Sequence, residues 1–110
     1  MGTFDPNSST PDCATGNSKG QTACSCAIPN SPVTSYTDDY KKFLQTYAES
    51  QMSAFEQAMG WFYWTWQTES TPQWSYQQAR AGGFMPQLAY KPAFKCGDAI
   101  PDFGSLPEYY

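Results

Sequence analysis

The side chains able to do chemistry are few, and their types narrow the possibilities quickly. There is no His, so Ser-His-Asp and Cys-His catalysis and His-ligated metal sites cannot be built. Four cysteines stand at Cys13, Cys24, Cys26 and Cys96, three of them in a Gly/Ser/Asn/Thr-rich stretch that cannot pack a core. An even count in such a context reads as two disulfides formed in an oxidising compartment. A four-thiolate zinc site is the competing reading. The C-x-C spacing, with Cys13 and Cys96 isolated, departs from the paired knuckles that zinc prefers. Cys24 and Cys26 are too close to bridge without strain, which leaves Cys13–Cys24 with Cys26–Cys96 or the swapped pairing. Asn7-Ser8-Ser9 is an N-glycosylation sequon, in keeping with export. Of the carboxylates, Glu49 and Glu56 fall on a helical pattern and Glu69 follows an aromatic run.

Composition supplies the next exclusions. Six basic against ten acidic residues give a net charge of −4, and the pI is about 4.4. The basic residues are scattered apart from Lys41-Lys42, so a nucleic-acid partner is not expected. Aromatics make up 17% of the chain, more than the 15% that is charged. Such a balance suits apolar cores, protein interfaces or platforms for stacking sugars. No apolar run approaches the ~18 residues needed to span a bilayer, so no membrane partner is expected. The first 25 or so residues lack the basic and apolar regions of a signal peptide. If the protein is exported, its leader has been removed or lay upstream. A complete (β/α)8 barrel takes about 250 residues, which is more than these 110 supply alone.

The elements that would position these groups fall into three units. Residues 1–34 are rich in turn formers, hold almost no apolar periodicity and read as a loop tied by its cysteines. Residues 35–87 read as a helix-strand-helix unit. Tyr36, Tyr40, Phe43, Leu44, Tyr47, Met52, Phe55, Ala58 and Met59 recur at helical spacing, which predicts an amphipathic helix over 36–59. Ser35 or Thr37 can cap it, Asp38 and Asp39 complement its positive end, and Gly60 can stop it. The run Trp61-Phe62-Tyr63-Trp64-Thr65-Trp66-Gln67 predicts a buried strand. Alternation puts Phe62, Trp64 and Trp66 on one face and Trp61, Tyr63 and Thr65 on the other. Both faces are bulky, as in a strand covered on both sides, and its backbone would need partner strands. A short helix over 72–81 follows, starting at Thr71-Pro72 or Ser75 and stopped by Gly82-Gly83. Residues 88–110 read as an extended, Pro- and Gly-punctuated tail anchored by Cys96.

Across residues 45–87 the steps Glu49-Ser50-Gln51, Ala54-Phe55-Glu56, Gly60-Trp61, Trp64-Thr65-Trp66, Thr68-Glu69, Trp74-Ser75-Tyr76 and Gly83-Phe84-Met85-Pro86 follow one another in order. This succession closely resembles the C-terminal part of fungal exo-β-1,3-glucanases of glycoside hydrolase family 5, and the likeness extends more loosely to Cys96. The resemblance implies an α/β excerpt from the end of a (β/α)8 barrel: seventh helix, eighth strand and eighth helix. It also implies a secreted, extracellular or cell-wall hydrolase of β-glucan or its oligosaccharides, working without a cofactor or metal. In the family a tryptophan at the end of the eighth strand stacks on the bound glucose. Trp64 is the match, with Trp66 close by, while Trp61 reads as core. The physical basis is that pyranose C–H faces pack on aromatic rings while the hydroxyls seek polar partners at the edge.

The sequence also departs from the family. Retaining hydrolysis needs two carboxyl groups about 5 Å apart. The Asn-Glu-Pro and Gly-Glu-aromatic steps that hold them in the family are absent here, so no residue is expected to be catalytic. Glu69 matches a position outside that pair and reads as a residue backing the site or entering the next helix. Two readings from different classes follow. In one, the chain is a segment of a β-1,3-glucanase, inactive alone and completed by the remainder of the barrel. In the other, it is an autonomous disulfide-stapled protein whose aromatic strand binds glucan or protein, with loops or a second copy covering the exposed face. A plainer option is that the aromatic strand is only structural.

Overall fold

A computed structural model describes residues 31–69, 71–104 and 106. The expected loop over 1–34, with Asn7, Cys13, Cys24 and Cys26, lies almost wholly outside the described residues.

The dominant element is helix α1, Asp38–Glu56. Its start follows from the sequence: Thr37 takes an extended backbone, and its hydroxyl accepts the Tyr40 N–H at 3.2 Å. Asp38 and Asp39 place negative charge on the first turn. The helix is shorter than the periodicity suggests. Tyr36 lies ahead of the cap, and residues 57–59 form a turn closed by the Gly60 N–H donating to the Phe55 carbonyl at 3.1 Å. Tyr40, Leu44, Ala48 and Met52, four residues apart, make the inward stripe, while Phe43, Tyr47 and Phe55 stay partly exposed.

The expected helix over 72–81 is two pieces. Pro72–Trp74 is a 3-10 turn, and helix α2 covers Tyr76–Ala81. The break falls at Ser75, which is fully buried and whose Oγ accepts the Gln78 N–H at 3.3 Å as the cap of α2. Both predicted starts are therefore used, one for each piece. The two glycines that stop α2 do different jobs. A Cβ on Gly82 would stand 2.5 Å from the Val33 side chain, so the first position needs closeness. Gly83 sits at φ 78°, where the Phe84 N–H reaches back to the Ala79 carbonyl at 3.0 Å, so the second needs left-handed backbone.

The core lies between α1, α2 and the chain that follows them. Tyr36, Tyr40, Met52, Ala79, Phe84 and Met85 are buried, with Val33, Leu44, Ala48, Trp61, Tyr63 and Tyr76 packed against them. Tyr36 meets Tyr40 edge-on at 5.1 Å and packs on Phe84 at 5.6 Å.

The strand expected over 61–67 is not formed: among the described residues there is no strand at all. The reason is the missing partner. With no neighbouring strand among the described residues to pair with, the segment takes its hydrogen bonds from the α2 entry. Thr65 N–H donates to the Trp74 carbonyl at 2.7 Å, and the N–H groups of Tyr76 and Gln77 donate to the carbonyls of Thr65 and Trp66 at 2.9 and 3.1 Å. The peptide between Trp64 and Thr65 is cis. Among the described residues, no helix is long and apolar enough to cross a membrane.

Candidate functional site

The aromatic run is the natural place to look, because its residue types suit stacking and its backbone is fixed by α2. The predicted alternation holds. Trp61, Tyr63 and Thr65 turn inward and are half-buried, and Phe62, Trp64 and Trp66 turn outward and are exposed. The expectation of cover on both faces does not. Phe62 is fully exposed, Trp64 is 79% exposed and Trp66 62%. The inward face finds partners in this chain and the outward face finds few.

The inward residues are each fastened. Trp61 packs against the core and donates its Nε1–H to Glu56 Oε1 at 2.8 Å. Tyr63 donates its hydroxyl to the Gln73 carbonyl and meets Tyr76 edge-on at 5.4 Å. Burial pushes the Tyr63 phenol above its ordinary value, and the neighbouring Tyr76 phenolate would add to the rise. Farther along, Gln78 Nε2–H donates to the Thr68 carbonyl at 3.0 Å, which holds the exit of the segment to α2. Trp66 stacks on Tyr76, with ring centroids 5.8 Å apart and planes 19° from parallel. Glu69 lies on the exposed side of this turn. The arrangement offers flat apolar surface.

A second polar centre lies where the tail meets α1, and sequence reasoning missed it. Glu49 is only 1% exposed despite its charge. Its carboxylate accepts three N–H bonds: from Gln45 Nε2 at 2.9 Å, from Ala93 N at 3.1 Å and from Phe94 N at 2.8 Å. The chain beside it is fastened in the same way, with Cys96 N–H donating to Ser53 Oγ at 3.1 Å. Glu49 therefore clamps the tail to α1. The sequence puts Glu49 on a polar or partly buried face of the helix, in the step Glu49-Ser50-Gln51, without marking it as a clamp. Beside the clamp lies an open cleft of about 470 Å³, walled by Asp38, Lys41 and Gln45 on α1 and by Phe94, Asp98 and Pro101 on the tail.

At Cys96 the tail meets α1 through the backbone N–H that donates to Ser53 Oγ. Its side chain is exposed, with Sγ 3.5 Å from the Ser50 carbonyl, and no disulfide joins it to another described residue. Its candidate partners Cys13, Cys24 and Cys26, like the sequon at Asn7, are outside the described residues.

No family model matches the chain, and no solved structure does. Curated relatives match strongly. The chain is 64% identical over 109 residues to a probable glucan 1,3-beta-glucosidase D of Aspergillus clavatus and 62% identical to that of Neosartorya fischeri. It is 59% identical to the glucan 1,3-beta-glucosidase D of Emericella nidulans. Each match takes in 99% of this chain but only 13% of the relative, in its C-terminal part. The likeness to the C-terminal part of fungal β-1,3-glucanases, read from the motifs, is borne out by these matches.

Proposed function

We propose that this chain is the C-terminal segment of a secreted fungal glycoside hydrolase acting on β-1,3-glucan, and that its part is to present aromatic surface to the sugar. The observation that carries this reading is 59–64% identity, sustained over 99% of the chain, to relatives named as glucan 1,3-beta-glucosidases. The exposed row of Phe62, Trp64 and Trp66 supports it, because such a row is complete only when something covers it. In this reading the segment belongs to a (β/α)8 barrel of glycoside hydrolase family 5. The remainder of the barrel supplies the strands that pair with residues 61–67 and the two catalytic carboxyl groups. Trp64 and Trp66 then stack on glucose units, and Glu69 backs the site. Disulfides through the four cysteines and export of the whole protein are part of the same proposal.

The test is an exchange. This chain replaces the matching C-terminal segment of the Emericella nidulans glucan 1,3-beta-glucosidase D, and hydrolysis of laminarihexaose is followed for the hybrid and for the isolated chain. The hybrid is expected to turn the oligosaccharide over, and the isolated chain is not. Two results overturn the proposal: a folded hybrid without activity, or saturable sugar binding by the isolated chain that Trp64→Ala abolishes. The second would make it an autonomous glucan-binding protein.

A further inference from the structure

Trp64 and Trp66 share the outward face of the aromatic run, yet the surroundings treat them differently. Trp64 is 79% exposed. One face of the Trp66 indole is covered by the nearly parallel ring of Tyr76, and the residue still keeps 62% of its surface in solvent. Behind Tyr76 stands a continuous series of rings and hydrogen bonds. Its edge meets Tyr63 at 5.4 Å, and the Tyr63 hydroxyl is held by the Gln73 carbonyl. Gln73 Nε2–H donates to the Tyr40 hydroxyl at 2.7 Å, and Tyr40 packs edge-on against buried Tyr36. The backbone is fixed in parallel, because Gln77 N–H donates to the Trp66 carbonyl at 3.1 Å. Trp66 is thus held from the core outward at both its ring and its peptide.

A ring whose plane is already set loses less rotamer entropy when a ligand stacks on it, so its contact is expressed as affinity rather than spent on ordering. We propose that Tyr76 is a positioning residue: it fixes the plane of the Trp66 indole so that the open face is ready to stack on a pyranose ring of β-glucan, while Tyr76 itself touches no sugar. This rests on the proposed function above and adds to it the residue that orients the platform. The chemistry fits a neutral polyhydroxylated ring, since the plate is apolar and its stacking partner is the neutral ring of Tyr76.

The experiment has two arms. In the isolated chain, near-ultraviolet circular dichroism reads the ordering of the indole. Tyr76→Leu is expected to lose as much signal as Trp66→Leu, the double variant no more than either, and Tyr76→Phe, which keeps a ring, retains most of it. In the hybrid enzyme described above, Tyr76→Leu is expected to raise KM for laminarihexaose about tenfold with little change in kcat, an effect of the size one aromatic pair can supply. Trp66→Leu should do the same, the double variant should add nothing further, and Tyr76→Phe should restore KM. Tyr76→Met, which keeps bulk without a ring, is read beside Tyr76→Leu in case the latter fails to fold. An inactive wild-type hybrid overturns the proposed function. An active hybrid in which ringless Tyr76 variants leave KM unchanged, or in which the two losses add, overturns this inference alone.

Discussion

The tail clamp and the aromatic run are both places where an otherwise costly surface meets the rest of the chain, and they resolve it in opposite ways. At the clamp, a buried carboxylate has each oxygen satisfied by N–H donors that lie within these 110 residues. At the aromatic run, only the inward half is satisfied. Trp61 and Tyr63 find the core, whereas Phe62, Trp64 and Trp66 keep most of their surface in solvent. Burying one large aromatic side chain stabilises a protein by roughly 1.5–3 kcal/mol, so three left outside forgo more than a typical domain can spare lightly. One region is satisfied within this chain, and the other leaves its outward face in solvent.

If that contrast is real, removing a clamp residue costs stability that the chain itself supplies. Glu49→Ala leaves the N–H groups of Ala93 and Phe94 without their acceptor and opens a gap beneath the tail. Bonds to a charged acceptor are worth about 1.5–3 kcal/mol each, although water can reach the Ala93 side. We expect a net loss of about 3 kcal/mol in the local stability of the tail, seen as a fall of roughly a hundredfold in amide exchange protection at Ala93 and Phe94. Equal protection in the variant would show that the tail is held by something other than Glu49.

The aromatic run offers a sharper version of the same comparison within a few residues. Trp61→Ala removes an inward ring and its hydrogen bond to Glu56. Because the ring is only half-buried, about 2 kcal/mol is expected, below the usual range for a fully buried aromatic. Trp64→Ala removes an outward ring and should change the thermal midpoint of the isolated chain by no more than a surface substitution does, about 0.5 kcal/mol. Thermal melts of both variants read the difference directly. Similar losses would mean that Trp64 packs in solution and that the outward face is not open.

These regions were also unequally legible in the sequence. Helix α1 announces itself by Tyr40, Leu44, Ala48 and Met52 at four-residue spacing, with a capping Thr37 ahead of them. Its ends were overrun by a turn because Tyr36 and Met59 continue the apolar pattern without continuing the hydrogen bonds. Alternation along 61–66 sorted inward from outward residues, although the segment bends at Trp64 and Trp66. The strand itself depended on partners that no local pattern can supply. The break at Ser75 was visible only as two competing starts. Glu49 was hidden because charge predicts exposure, and its burial is decided by N–H groups 44 and 45 residues away. Tyr76 was likewise an ordinary helix residue until the fold set it against Trp66.

A smaller effect than the loss at Trp61 is expected where the two regions' chemistry overlaps, at a half-buried phenol within the aromatic run. Burial raises the Tyr63 phenol above the ordinary tyrosine value of 10.0, so the fold favours its neutral form. The stability this preference contributes is fully present below about pH 10, the unfolded value, and is lost as pH rises through the higher folded value. Tyr63→Phe cannot ionise. At neutral pH it gives up the hydrogen bond to the Gln73 carbonyl and should cost about 1 kcal/mol. Above about pH 10 the wild type loses stability that the variant keeps, so the gap between their melting temperatures should narrow. Some alkaline loss should persist in the variant, because burial also raises Tyr36, against a smaller lowering from its hydrogen bond with Gln73. A gap that stays constant from about pH 8 to about pH 11 would mean that Tyr63 ionises as freely in the folded chain as in the unfolded one. The inward face of the aromatic run would then be wetter than its contacts with Tyr76 and Gln73 imply, and the contrast with the outward face correspondingly weaker.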